Sequence, residues 1–148
     1  HARLGEQGVG ARCDHDQLIN AYDNSIIATD HVLAETIAWL KRRSADRATA
    51  LVYMSDHGES LGELGIFLHG LPYPFAPEAQ KHVAYVAWIG PGLAAWRGID
   101  LDCAGRGLDA PLSHDNLYHT VLGLVDVTTP TYDAALDTFA PCRKPRKD

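Results

Sequence analysis

From residue 14 to about 43 the apolar positions Leu18, Tyr22, Ile26, Leu33, Ile37 and Leu40, filled in by Ile19 and Ile27, recur at three- and four-residue steps without Pro or Gly. This spacing predicts one long amphipathic helix. Asp14 is its expected N-cap with Gln17 three residues on, while Lys41, Arg42 and Arg43 place positive charge at the C-terminal end of the dipole. Residues 49–54 alternate too little for a strand with one wet face, and residues 83–89 are apolar throughout until Gly90-Pro91-Gly92. Runs of this kind suit central parallel strands buried on both sides.

The loop 55–82 between them carries Pro72, Pro74 and Pro77, and loops of this length inside a domain are usually functional. Residues 93–112, with Gly98, Gly105 and Gly107, read as irregular. Ser113 is the expected N-cap of a helix through Leu117, Val121 and Leu124, and Tyr132, Ala135, Leu136 and Phe139 form one more short apolar face. Strands alternating with helices predict an α/β layered fold with a mostly parallel sheet. Only two strong strands are visible where a sheet commonly has about five or six, so the chain reads as a fragment of a larger domain.

Composition narrows the class. Hydrophobic residues at 46% and charged residues at 22% of 148 are those of a globular protein and exclude disorder or a collagen-like repeat. No apolar run approaches the ~18–20 residues that cross a bilayer, and no basic-then-apolar leader is present. A net charge of −6 with no basic stripe or interleaved aromatics speaks against nucleic acid as a partner. The basic run Arg143-Lys144-Pro145-Arg146-Lys147 reads as a solvated tail, 143–148. At the other end His1 stands where an initiator Met would, and 1–13 is set apart as an irregular segment. Cys13, Cys103 and Cys142 lack CxxC spacing; they fit either a secreted protein with one cysteine partner outside the chain, or free buried thiols.

The candidate chemistry lies where the first strand ends. The stretch Ser55-Asp56-His57-Gly58-Glu59-Ser60-Leu61-Gly62-Glu63 is followed by Leu68-His69-Gly70, and in parallel α/β sheets ligands bind beyond the carboxyl ends of strands. A carboxylate and a neutral imidazole suit Zn²⁺ at about 2.0–2.2 Å. An Asp-His pair alone is more often a hydrogen-bonded structural pair, but Glu59, Gly62, Gly65 and His69 favour a site. Zinc takes at least three protein ligands, so Asp56 and His57 need completion from elsewhere. A second doublet, Asp30-His31, falls on the long helix, where adjacent residues do not face one another. It reads as a packing or capping pair beside Asp23-Asn24, although Asp23 and Asp30 share a face.

Taken together, the Ser55–Glu63 stretch, Leu68-His69-Gly70, Pro72-Tyr73, Asn20-Ala21-Tyr22-Asp23-Asn24, Thr29-Asp30-His31-Val32-Leu33, Ser113-His114-Asp115-Asn116-Leu117 and Pro141-Cys142-Arg143 resemble the lipid A phosphoethanolamine transferases. That family includes the mobile colistin-resistance enzymes and has the alkaline-phosphatase-like (sulfatase-like) fold. The resemblance covers nearly everything after Cys13 and implies that 14–142 is the C-terminal part of a periplasmic catalytic domain. It implies zinc-dependent transfer of phosphoethanolamine from phosphatidylethanolamine to lipid A through a phosphorylated threonine. Asp56 and His57 match two zinc ligands, His69 a residue that binds the phosphoethanolamine group or a second zinc, and Glu59 an auxiliary position.

The threonine nucleophile and a further acidic ligand lie upstream of the matched residues in that family. Thr29, Thr36 and Thr49 are therefore not assigned to the role, and the chain alone is expected to be inactive. The resemblance also implies an oxidising compartment, a Cys103–Cys142 disulfide and an unpaired Cys13. A monomer at the periplasmic face of the bacterial inner membrane, attached through an N-terminal transmembrane region absent here, completes the expectation. The alternatives are another sulfatase-like hydrolase or phosphoglycerol transferase, or an inactive truncated product.

Overall fold

A computed structural model describes residues 14–106 and 110–144. The expectations for 1–13, including an unpaired Cys13, and for 145–148 lie outside the described residues. The chain divides into two compact units, one formed by residues up to Thr36 with Ser55–Ala84, the other by Ile37–Met54 with residues from Tyr85 onward.

The long helix forms as the periodicity predicts, α1, His15–Arg43. The Asp14 N–H donates to Gln17 Oε1 at 3.2 Å, the reciprocal half of a capping box, and the Leu18 N–H donates to Asp14 O at 3.1 Å. Leu18, Ile19, Tyr22, Leu33, Ile37 and Leu40 are half-buried, whereas Ile26 and Ile27 are exposed. Thr29 and Thr36 turn their hydroxyls onto the helix itself, donating to Ser25 O and Val32 O.

In the first unit, β2 (Ser60–Leu61) and β3 (Phe67–Leu68) pair antiparallel, with Ser60 opposite Leu68. A short helix, α2 (Glu78–Lys81), follows Pro77. Lys81 bonds Glu78 at 2.7 Å and holds its carboxyl below the usual carboxylate range. The base of the unit is closed by the Ser55 N–H, which donates to Ala84 O at 3.2 Å.

In the second unit, β1 (Ala50–Met54) pairs with β4 (Tyr85–Ile89) in the register Ala50 opposite Ile89 and Met54 opposite Tyr85. The pairing is antiparallel, which corrects the expectation of parallel strands for these two. An apolar run encodes burial and not direction. Parallel neighbours need a crossover to the far end of the strand, whereas the 55–84 excursion begins and ends at hydrogen-bonded neighbours and returns the chain reversed. The strands are also less covered than expected: β1 is half-buried throughout, and Val86 and Ala87 are exposed among the described residues.

Residues 93–112, expected to be irregular, contain the end of α3 (Pro91–Arg97) and all of α4 (Leu101–Arg106). Pro91 presets the first turn of α3 and Gly98, at φ 65°, caps it. Asp100 Oδ1 accepts the Cys103 N–H at 3.0 Å at the start of α4, which lowers the Asp100 pKa. The core gathers Ile89, Leu93, Ala94, Ile99, Leu124 and Phe139, with Ala50, Val52 and Ala104 against it.

Helix α5 (Asp115–Val125) follows Ser113, whose Oγ accepts the Asp115 N–H and whose own N–H donates to Asn116 Oδ1. Its buried face matches the predicted one only in part: Leu124 is buried and Leu117 half-buried, but the face is turned toward polar positions. Asn116, Thr120, Gly123 and Leu124 are buried, and Val121 is exposed. The polar positions turn inward because the C-terminal segment bonds them: Asn116 Nδ2 donates to Leu136 O, and Thr120 Oγ1 accepts the Thr138 N–H.

Cys103 and Cys142 form a disulfide with Cα atoms 5.6 Å apart. Arg143, expected in the solvated tail, is instead largely buried and pairs with the buried Asp137 at 2.9 Å. Its backbone also bridges Ile99.

Candidate metal centre

The residues of the Asp56–His69 stretch are held by backbone features of the first unit. Gly58 is needed by close approach: a Cβ there would lie 2.0 Å from Ala79 O, and its N–H donates to Gln80 O at 3.1 Å. The chain can therefore pass tightly against α2 between His57 and Glu59. The hairpin then returns it, so that His69 comes back to Glu59 ten residues on.

The structure brings together His57, Glu59 and His69, each offering a ligand atom within 4.8 Å of the others. The imidazoles of His57 and His69 stack with centroids 3.6 Å apart and planes at 29°. His69 Nδ1 lies 2.8 Å from Glu59 Oε1, and His57 Nδ1 lies 3.0 Å from Gly58 O and 4.0 Å from Glu59 Oε1. The carbonyl of Gly58 can only accept, which assigns the proton to His57 Nδ1 and leaves Nε2 free as a donor of electrons. A carboxylate or carbonyl holding one ring nitrogen so that the other can ligate is the usual support of a metal-bound histidine.

Asp56 stands apart from that cluster, its side chain 89% exposed, but Oδ2 lies 3.8 Å from His57 Nε2 and Oδ1 accepts the His57 N–H at 3.1 Å. Two tetrahedral zinc ligands sit roughly 3.3–3.6 Å from each other at ordinary bond lengths, so this pair is near ligating separation on the free side of the ring. Glu59 supplies the second sign of fit. Its Oε2 is buried with no hydrogen-bond partner, a costly state for a carboxylate oxygen unless a cation or donor meets it. The donor set, oxygen and nitrogen with no thiolate, suits a divalent cation such as zinc.

Asp30 and His31 are both exposed on α1. Gln80 carried no sequence signal. Its buried side chain hydrogen-bonds the hairpin between Glu59 and His69, a relation twenty residues apart that no local pattern reveals.

The family model described as Sulfatase matches residues 4–127. The chain belongs to the Sulfatase family. It is 44% identical over 133 residues to the phosphoethanolamine transferase EptA of Salmonella typhimurium, covering 89% of this chain and 24% of that protein. To the phosphatidylethanolamine transferase Mcr-1 of Escherichia coli it is 42% identical over 118 residues, 80% of this chain and 20% of the relative. It thus spans about a quarter of the length of the curated relatives it matches.

Among solved structures, the soluble domain of lipooligosaccharide phosphoethanolamine transferase A from Neisseria meningitidis matches with a TM-score of 0.85 at 38% identity, over 90% of this chain and 40% of that one. The C-terminal periplasmic domain of the transferase EptC from Campylobacter jejuni matches with a TM-score of 0.78 at 39% identity, over 93% and 42%. The layered α/β fold of the chain is accordingly the alkaline-phosphatase-like one.

Proposed function

We propose that the chain supplies part of the centre for zinc-dependent transfer of phosphoethanolamine from phosphatidylethanolamine to lipid A, through a threonine outside this chain. The observation that carries the reading is the arrangement at His57: Nδ1 tied to the Gly58 carbonyl, Nε2 free, and Asp56 Oδ2 3.8 Å from it. The names of the relatives supply the reaction class, because the similar proteins are transferases of phosphoethanolamine. The donor phosphatidylethanolamine and the acceptor lipid A are taken over from the same kinship. The periplasmic face of the inner membrane is the matching setting, since one similar structure is an integral membrane protein and another a periplasmic domain; a monomer is part of the same proposal.

In this reading Asp56 and His57 hold the zinc and His69 holds the phosphate of the group in transit. Bound zinc supplies activation of a hydroxyl nucleophile and neutralisation of phosphoryl charge. Asp56 brings one negative charge to the open side of the His57 ring. His69, when protonated, keeps its Nδ1–H on Glu59 and presents Nε2–H to a phosphate oxygen, a charge-assisted bond. Glu59 orients that ring, and its buried Oε2 remains available to an auxiliary cation.

The test replaces the matching segment of the Salmonella typhimurium EptA with residues 14–144 of this chain. Lipid A from cells carrying the chimera is then weighed by mass spectrometry. Addition of one phosphoethanolamine group, lost in Asp56→Ala and His57→Ala together with the zinc of the purified chimera, is the expected result. An active chimera indifferent to both substitutions would refute the ligand assignment.

A further inference from the structure

Three hydrogen bonds from one buried residue fall on the neighbours of the three clustered side chains. Gln80 is 7% exposed, and its Nε2 donates to Ser60 Oγ at 2.9 Å and to Leu68 O at 3.0 Å. Its backbone O accepts the Gly58 N–H at 3.1 Å. Ser60 follows Glu59, Leu68 precedes His69, and Gly58 lies between His57 and Glu59. A carbonyl can only accept, so the bond to Leu68 O fixes the orientation of the amide.

The two side-chain bonds span a register pair, because Ser60 and Leu68 are opposite one another in the hairpin. Ser60 is 1% exposed, and no water can substitute for a partner at that depth without a cavity. Leu68 stands at φ 63°, and its side chain is exposed. A non-glycine residue in the left-handed region persists only when its surroundings over-determine it, and the bond from Gln80 to its carbonyl is such a constraint. Gln80 itself is fixed by its N–H, which donates to Pro77 O at 3.0 Å.

We propose that Gln80 is the positioning residue of the His57, Glu59 and His69 cluster. It sets the separation of the two hairpin arms, and with it the Glu59–His69 bond and the stacking of the two imidazoles. The functional weight of this role rests on the metal-centre reading above, but the geometry it controls exists without metal.

The test uses the 148-residue chain with Gln80→Met, which keeps length and volume and removes both side-chain donors, and with Ser60→Ala, which leaves the bond to Leu68 intact. Stacking of the His57 and His69 rings is read by nuclear Overhauser effects in metal-free protein. Zn²⁺ affinity is read by competition with a chelator, and the amide shifts of β4 report whether the second unit is unchanged. Gln80→Met should separate the rings and weaken Zn²⁺ about 10–100-fold, the scale on which outer supports of metal ligands act, with β4 undisturbed. Ser60→Ala should keep the rings stacked and weaken Zn²⁺ less than about tenfold, because the bond from Gln80 to Leu68 O persists.

Rings that remain stacked in Gln80→Met would overturn the proposal. So would disappearance of the native β4 shifts together with the site, since Gln80 would then act on general stability. A wild-type chain whose rings stack, and whose Gln80→Met variant no longer stacks them with β4 unchanged, would support the positioning role whether or not the isolated chain holds Zn²⁺, whereas the metal reading stands or falls by its own test in the chimera.

Discussion

The rings of His57 and His69 stack 3.6 Å apart, and Glu59 lies 2.8 Å from His69 but 4.0 Å from His57. Glu59 therefore belongs to His69, while His57 is anchored on its own neighbour's carbonyl and faces Asp56. One short stretch thus offers two differently supported imidazoles to one small region.

Glu59→Gln keeps a hydrogen-bond acceptor for His69 but removes the negative charge 2.8 Å from its Nδ1. In an active chimera this should lower transfer without lowering zinc content, if Asp56 and His57 are the ligands as proposed, the opposite of His57→Ala. Zinc content and transfer rate measured on the same preparations separate the two.

Gly123→Ala places a methyl group on a helix, where Ala is ordinarily better than Gly by about 1 kcal/mol. Here the new Cβ would lie 2.0 Å from Asp137 Oδ2 and 2.8 Å from its Cγ. The variant should lose about 2 kcal/mol or more, since overpacking and disturbance of a buried ion pair both oppose the propensity gain. Urea unfolding gives the sign directly.

Asp137→Asn leaves Arg143 without the carboxylate it meets at 2.9 Å in a site where the Asp137 side chain is 0% exposed. Breaking a buried pair from one side costs about 3–5 kcal/mol. Arg143 Nε and Nη2 are already buried without hydrogen-bond partners, so the guanidinium depends heavily on that carboxylate. Equilibrium denaturation should show the loss in the second unit.

Tyr132 donates its hydroxyl to Asp137 Oδ2 at 2.7 Å. Burial first, and the Asp137 carboxylate next, push the phenol above its ordinary value of 10.0. The folded state then holds the proton longer than the unfolded state. This contribution is fully present below about pH 10 and is lost as pH rises through the folded value. Stability measured from pH 9 upward should fall with this group's titration, and Tyr132→Phe should flatten that step while costing about 1 kcal/mol at neutral pH through the lost hydrogen bond.

Reduction of Cys103–Cys142, 39 residues apart in sequence, should lower stability by about 4 kcal/mol on the chain-entropy account. The Cys103→Ala, Cys142→Ala double variant should match the reduced protein in a denaturant titration.

Elements written in local periodicity were legible. Helix α1 repeats its apolar spacing over 29 residues and carries signals at both ends. The direction of β4 was not legible, because Tyr85-Val86-Ala87-Trp88-Ile89 has the same apolar character in either pairing. The buried face of α5 was legible only at Leu117 and Leu124, for a related reason: Asn116 and Thr120 look like surface residues until the segment near Leu136 and Thr138 supplies their partners. At the site, residue type and spacing marked Asp56, His57, Glu59 and His69. The hairpin that joins Glu59 to His69, and Gln80 beneath it, depend on folding across ten and twenty residues and leave no trace in a local pattern.

The most direct measurement of the central claim is the zinc content of the purified chimera carrying residues 14–144, against its Asp56→Ala, His57→Ala and His69→Ala variants, because Asp56 and His57 supply only two of the protein ligands zinc takes. The metal-centre account predicts zinc in the unsubstituted chimera that falls at least about tenfold in Asp56→Ala and His57→Ala, consistent with removal of ligands, and less in His69→Ala. An active chimera without zinc, or equal zinc content in all four proteins, would contradict it.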